Sequence, residues 1–225
     1  MPSKNLMNLF RRIFIANFVL LVAISSFGYF FWYKPVFNKR SSGRSLVFKN
    51  ELWPPSREVL SRLRLKASSA KGYIKAMGFN ANYCFLLDMH IYPGQKRFFV
   101  YNLKKDSVEQ AGLVTHGSGS QASGNLVFSN KPNSNCTSLG RYKIGKPYNG
   151  TFGLAYKLYG LDESNDNAFE RYVVLHGHEC VPDEEVYPLP ICLSLGCPTV
   201  SPPFLTMLKG YIDQSNNPVL LWIYY

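Results

Sequence analysis

Ile13 to Tyr33 is an apolar stretch of 21 residues without a charge. At 1.5 Å per residue a helix of that length covers roughly the 30 Å apolar core of a bilayer. It closes on Tyr29-Phe30-Phe31-Trp32-Tyr33, the kind of aromatic cluster found at a membrane–water boundary. The pattern predicts a transmembrane anchor over 13–33, with secretion after signal cleavage near Ala23-Ile24-Ser25 as the alternative. The apolar run continues well past that poor small-residue site, which favours the uncleaved anchor. Residues 1–12 then form a short cytoplasmic basic head, and 34–55 a basic linker that closes on Trp53-Pro54-Pro55.

Beyond the linker the hydrophobic period changes. Val59, Leu60, Leu63, Ala67, Ala70 and Ile74 recur near every 3.6 residues, predicting a helix capped by Ser56 and stopped by Gly78. From Tyr83 onward short β-rich runs take over: Cys84–Ile91, Arg97–Leu103, Gln110–His116, Tyr142–Ile144, Ala155–Leu158, Tyr172–His176 and Val219–Tyr225. Turn residues such as Pro93-Gly94 and Asn149-Gly150 separate them. A second helix is predicted from Pro202 to Gln214, where proline starts it and Phe204, Leu205 and Leu208 give an apolar face. Residues 56–225 therefore read as one mainly β (α+β) domain, a β-sandwich or partly open barrel with few helices.

Charge changes the picture only near the anchor. The net +11 divides into +3 over residues 1–33, +9 over 34–79 and −1 over 80–225. The main domain thus has no electrostatic basis for binding nucleic acid. The basic excess beside the anchor attracts anionic headgroups or is a solvated linker. Counted literally, positive charge on that side puts the domain in the cytoplasm; the chemistry of its cysteine motif argues for the opposite face.

Five cysteines leave at least one thiol unpaired within the chain: Cys84, Cys136, Cys180, Cys192 and Cys197. Cys180 and Cys192 flank a step rich in acid and proline, where a disulfide would tie off one loop just before Cys197. Cys84 with Cys136 is the remaining pair, and five reduced thiols in a cytosolic protein is the alternative. Cys197 follows Gly196, which permits a tight turn and lets backbone N–H groups converge near the sulfur, as an oxyanion hole needs. A cysteine nucleophile also needs a base. Of His90, His116, His176 and His178, His176 stands where a strand meets a loop, ahead of Gly177. The order His176, His178, Cys180 offers alternating metal ligands, but no C-x-x-C set or H-E-x-x-H completes a zinc site, so no metal is expected.

His176-Gly177 followed by Ser194-Leu195-Gly196-Cys197-Pro198 resembles the signature of YkuD-type murein L,D-transpeptidase catalytic domains. Leu87-Asp88-Met89, Thr115-His116-Gly117-Ser118-Gly119-Ser120, Thr137 to Tyr142, Asn165 to Ala168 and Arg171 extend the likeness over about residues 55–225. Leu195 and Thr199 stand where the common pattern has His and Arg or Asn. The resemblance implies a periplasmic, cofactor-free enzyme whose partners are peptidoglycan stem peptides, held at the bacterial inner membrane by its N-terminal helix. It implies Cys197 as nucleophile, His176 as base with His178 a rival base, and the N–H groups of Gly196 and Cys197 as oxyanion donors. Ser194 orients a partner or bonds its own turn, and His116 lines the cleft. An L,D-carboxypeptidase and a non-catalytic wall-binding protein on the same fold are the alternatives; a thiol redox protein would need a C-x-x-C.

Overall fold

The computed structural model describes residues 15–18, 20–22, 25–27, 29, 55–122 and 125–225. The basic head, much of the predicted anchor and nearly all of the 34–55 linker lie outside them. The described pieces of 13–33 are helical, and no helix among the described residues is long and apolar enough to cross a membrane. The chain divides into two compact units, Met1–Trp53 and Pro54–Tyr225. All five cysteines and all four histidines belong to the second.

Helix α1 (Arg57–Met77) begins where the Ser56 hydroxyl accepts from the Val59 N–H at 3.3 Å and ends at Gly78, whose φ of 69° is the left-handed cap that glycine adopts without strain. Strands β1 (Tyr83–Asp88), β2 (Phe98–Asn102) and β3 (Ser107–Gly112) form an antiparallel meander. A two-residue-per-strand hairpin, β4 (Gln121–Ala122) and β5 (Asn125–Leu126), precedes the long pair β6 (Gly140–Gly150) and β7 (Gly153–Gly160). Then come β8 (Val174–Gly177), β9 (Thr199–Val200), α2 (Pro202–Asp213) and β10 (Leu220–Tyr224).

Eight strands make one sheet in the order β3-β2-β1-β10-β6-β7-β8-β9, parallel at β1–β10 and β8–β9. The sandwich expectation is therefore corrected: each face of this sheet meets a helix rather than a second sheet. Phe85, Leu87, Phe98, Val100, Tyr142, Tyr156, Leu221 and Ile223 point to one side and enclose Phe204, Leu205 and Leu208 of α2. Each fully buried side chain of this kind contributes about 1.5–3 kcal/mol. The alternate residues Cys84, Leu86 and Asp88 face α1, where Leu63, Ala67 and Ala70 are fully buried and Arg62 Nε donates to Asp88 Oδ2 at 2.7 Å.

The ladder does not close, which agrees with the other expectation, a partly open barrel. Its edges β3 and β9 meet through the chain leaving β3, where the Thr115 N–H donates to the Thr199 carbonyl at 2.9 Å and the Thr199 N–H to Thr115 Oγ1 at 3.1 Å. This explains why the Gln110–His116 strand lies earlier than predicted. β2 begins at Phe98, opposite Gly112, so residues 113–116 run out of partner and turn toward β9.

Candidate active site around Cys197

The turn that carries Cys197 is built by hydroxyls and one obligatory glycine. Gly196 has φ 115°, and a Cβ there would stand 2.8 Å from the Cys136 carbonyl oxygen. Ser194 Oγ donates to the Cys197 carbonyl at 2.7 Å and accepts from the Gly196 N–H at 3.1 Å. Thr115 Oγ1 reaches the same Cys197 carbonyl at 3.2 Å. The segment after β3 cradles the turn from below: the Ser194 N–H donates to the His116 carbonyl at 3.0 Å and the Ser118 N–H to the Ser194 carbonyl at 2.7 Å. Ser194 is thus a turn hydroxyl bonding its own backbone. The Gly196 N–H is engaged by it, which corrects its assignment as an oxyanion donor; the Cys197 N–H has no hydrogen-bond partner among the described residues.

The thiol sits at the N-terminal end of β8. Cys197 Sγ accepts from the Val174 N–H at 3.4 Å and lies 3.7 Å from the Tyr172 carbonyl oxygen. Burial pushes its pKa above the usual thiol value, while the Val174 N–H and the Arg171 charge pull it down. His176, two residues along β8, has Nδ1 3.1 Å from the Gly177 carbonyl. A carbonyl only accepts, so Nδ1 carries the proton and Nε2 holds the free lone pair. That lone pair meets the Thr199 hydroxyl at 3.0 Å. Burial lowers the His176 pKa, the Gly177 carbonyl raises it and His178 lowers it, for a net downward shift. Both shifts favour a neutral thiol and a neutral imidazole at rest over an ion pair.

Cys197, His176 and His178 line one pocket of about 400 Å³ together with Thr115, Ser194 and Thr199. Its wall includes the Cys180–Cys192 disulfide, as the acid- and proline-rich spacing predicts. Cys84 and Cys136 are both free, which overturns their pairing. Cys84 lies on the α1 side of β1, whereas Cys136 packs beside the Gly196 turn, where Arg171 Nη2 donates to its carbonyl at 2.6 Å. With Cys180 in a disulfide, the His176–His178–Cys180 metal set is also lost. His178 Nδ1 instead accepts from the Cys180 N–H at 3.1 Å.

His116 is not in the pocket lining. Its ring is buried, with Nδ1 3.0 Å from Nη2 of the fully buried Arg97. Burial and the Arg97 charge push its pKa down to about 4, so it is neutral, and its Nε2 has no partner among the described residues. Arg97 also donates to the Val114 carbonyl at 2.9 and 2.8 Å. The pair therefore braces the segment after β3 that cradles the Cys197 turn.

The model of the L,D-transpeptidase catalytic domain matches residues 59–224. The chain belongs to that family. A solved structure of an L,D-transpeptidase from Xylanimonas cellulosilytica is similar at 12% identity over 68% of each chain, with a TM-score of 0.35. No curated protein matches in sequence.

Three residues of this L,D-transpeptidase-family pocket escape sequence reading as site residues. Thr199 shows only as a departure from the common motif, yet it holds the imidazole lone pair. Phe152, at the tip of the β6–β7 hairpin, stacks on His176 with ring centroids 5.2 Å apart and meets His178 edge-on at 5.1 Å. Arg171 ties the 129–138 loop to the pocket through the carbonyls of Ser129 and Cys136. An aromatic residue in a hairpin turn carries no periodic signal; the Asn149-Gly150 turn is the sole pointer to where Phe152 stands.

Proposed function

We propose that the protein is a cysteine L,D-transpeptidase that remodels peptidoglycan. The observation that carries this reading is the shared pocket of Cys197 and His176, with the histidine tautomer set by the Gly177 carbonyl so that Nε2 is the base. The thiol proton passes to His176 Nε2 as the Thr199 hydroxyl yields that position. Sγ attacks the carbonyl of the third residue of a tetrapeptide stem, and the Cys197 N–H faces the developing oxyanion. The C–N bond to the terminal D-alanine breaks, His176 returns the proton to the leaving amine, and a thioester remains. A side-chain amine of a neighbouring stem then attacks the thioester, the C–S bond breaks, and a 3→3 cross-link forms with the thiol regenerated. Peptidoglycan lies outside the inner membrane, so we place the domain in the periplasm, with residues 13–33 as its anchor.

The test is incubation of the protein with disaccharide-tetrapeptide, followed by mass spectrometry. Loss of D-alanine, a thioester on Cys197 and a cross-linked dimer are expected. Tripeptide without dimer would make the enzyme an L,D-carboxypeptidase, and unchanged tetrapeptide would reject the reading.

A further inference from the structure

The face of the sheet that α1 covers at β1 and β10 continues onto β6, β7 and β8, where Phe169 stacks on Tyr159 and Phe152 on His176 while Lys143 and Lys157 stay exposed. Side chains alternate along a strand and directly paired residues share a face. Lys143 is paired with Tyr159, Lys157 with Val174, Tyr148 with Ala155, and Ala155 with His176. One strip therefore runs from Lys143 through Lys157 to the strand that holds the thiol. The side-chain contacts agree: Lys143 Nζ lies 5.1 Å from the Tyr159 ring centroid and Lys157 Nζ 5.9 Å from that of Tyr148.

Lys143 and Lys157 are exposed, and neither has a carboxylate partner among the described residues. A groove of about 890 Å³ opens beside them, with Lys146 on its wall. Asp213 lines it too, but its carboxylate is engaged by Lys209 and the Tyr156 hydroxyl. The result is an open, cationic groove flanked by Tyr148 and Tyr159, linked to the thiol through Lys157, which pairs with Val174, whose N–H meets Cys197 Sγ.

We propose that this strip is the subsite for the carboxylates of the stem peptide that reaches Cys197, and that it selects an acidic, extended peptide. The proposal rests on the acyl-transfer reading of the thiol. Neighbouring strands stand about 4.8 Å apart, so the two lysines begin one and two strands from Val174, on the order of 10 Å from the thiol. An extended peptide advances about 3.4 Å per residue, so carboxylates within about three residues of the attacked carbonyl fall within lysine reach. An ammonium in contact with a bound carboxylate is well inside the Debye length of about 8 Å, so the attraction survives physiological salt and weakens as salt rises.

The test uses the full-length chain carrying Cys197→Ala, so that binding is read without turnover. Calorimetric titration compares disaccharide-tetrapeptide with the same compound amidated at its carboxylates. The acidic compound should bind roughly tenfold tighter, with the gap narrowing in high salt. Adding Lys143→Gln and Lys157→Gln should make the two compounds bind alike. Lys75→Gln with Lys104→Gln, which removes the same charge elsewhere, should keep the gap. Equal affinities in the parent, a gap that survives the strip variant, or no binding of either compound would overturn the proposal. Charge-dependent binding in a chain whose wild type releases no D-alanine would instead sink the catalytic reading alone.

Discussion

In the proposed acyl transfer, Cys197 and His176 divide the chemistry by the atoms that hold them. The Gly177 carbonyl fixes which imidazole nitrogen is the base, and the Val174 N–H holds the sulfur. His176→Ala should lower kcat/KM on tetrapeptide by about 10²–10⁴, the range for general acid–base help, with His178→Ala losing far less; steady-state D-alanine release ranks the two. The resting thiol is raised by burial, so its alkylation by iodoacetamide should climb with pH beyond the range of an ordinary thiol. A plateau already reached at pH 6 would mean a preformed ion pair. Gly196→Ala pushes a Cβ toward the Cys136 carbonyl at a φ that costs about 1–3 kcal/mol for other residues. Activity should vanish with only that loss in a urea melt.

At the scale of elements, α1 and α2 were legible because capping and period act locally: Ser56, Gly78 and Pro202 stand where the helices begin or end. β9 was not, since two residues carry no period and form a strand only because β8 offers an edge. The Cys84–Cys136 pairing failed for a related reason. Sequence counts cysteines, but which face of β1 a residue occupies depends on partners far along the chain. The Cys180–Cys192 loop was legible because both ends lie close in sequence. In the chain-entropy model, closing about 15 residues stabilises by roughly 3 kcal/mol. Here the loop is also held where the Val186 and Tyr187 N–H groups donate to the Gly94 carbonyl at 2.9 and 3.1 Å. Cys180→Ser with Cys192→Ser should therefore cost less than that in a thermal melt. It should slow turnover more than it lowers stability, because the bond walls the pocket; unchanged kcat would show that the wall does not position the turn.

For the whole molecule, the buried Arg97–His116 pair ties stability to pH. His116 is neutral when folded down to about pH 4, whereas an unfolded histidine takes a proton near 6.5. The unfolded state thus binds more protons across that window, and stability falls as pH drops from about 6.5 to about 4, by on the order of 3 kcal/mol. Urea melts at pH 7 and pH 5 should show the decline, and His116→Gln should flatten it. Strand order governs synthesis as well. β10 lies between β1 and β6 and is the one strand joining the β3-β2-β1 half of the sheet to the β6-β7-β8-β9 half. Until Leu220–Tyr224 leaves the ribosome, a nascent chain holds two half-sheets with bare edges at β1 and β6, each a template for pairing with another chain. Those edges make the emergence of β10, rather than the hydrophobic content of either half, the moment at which the domain can fold.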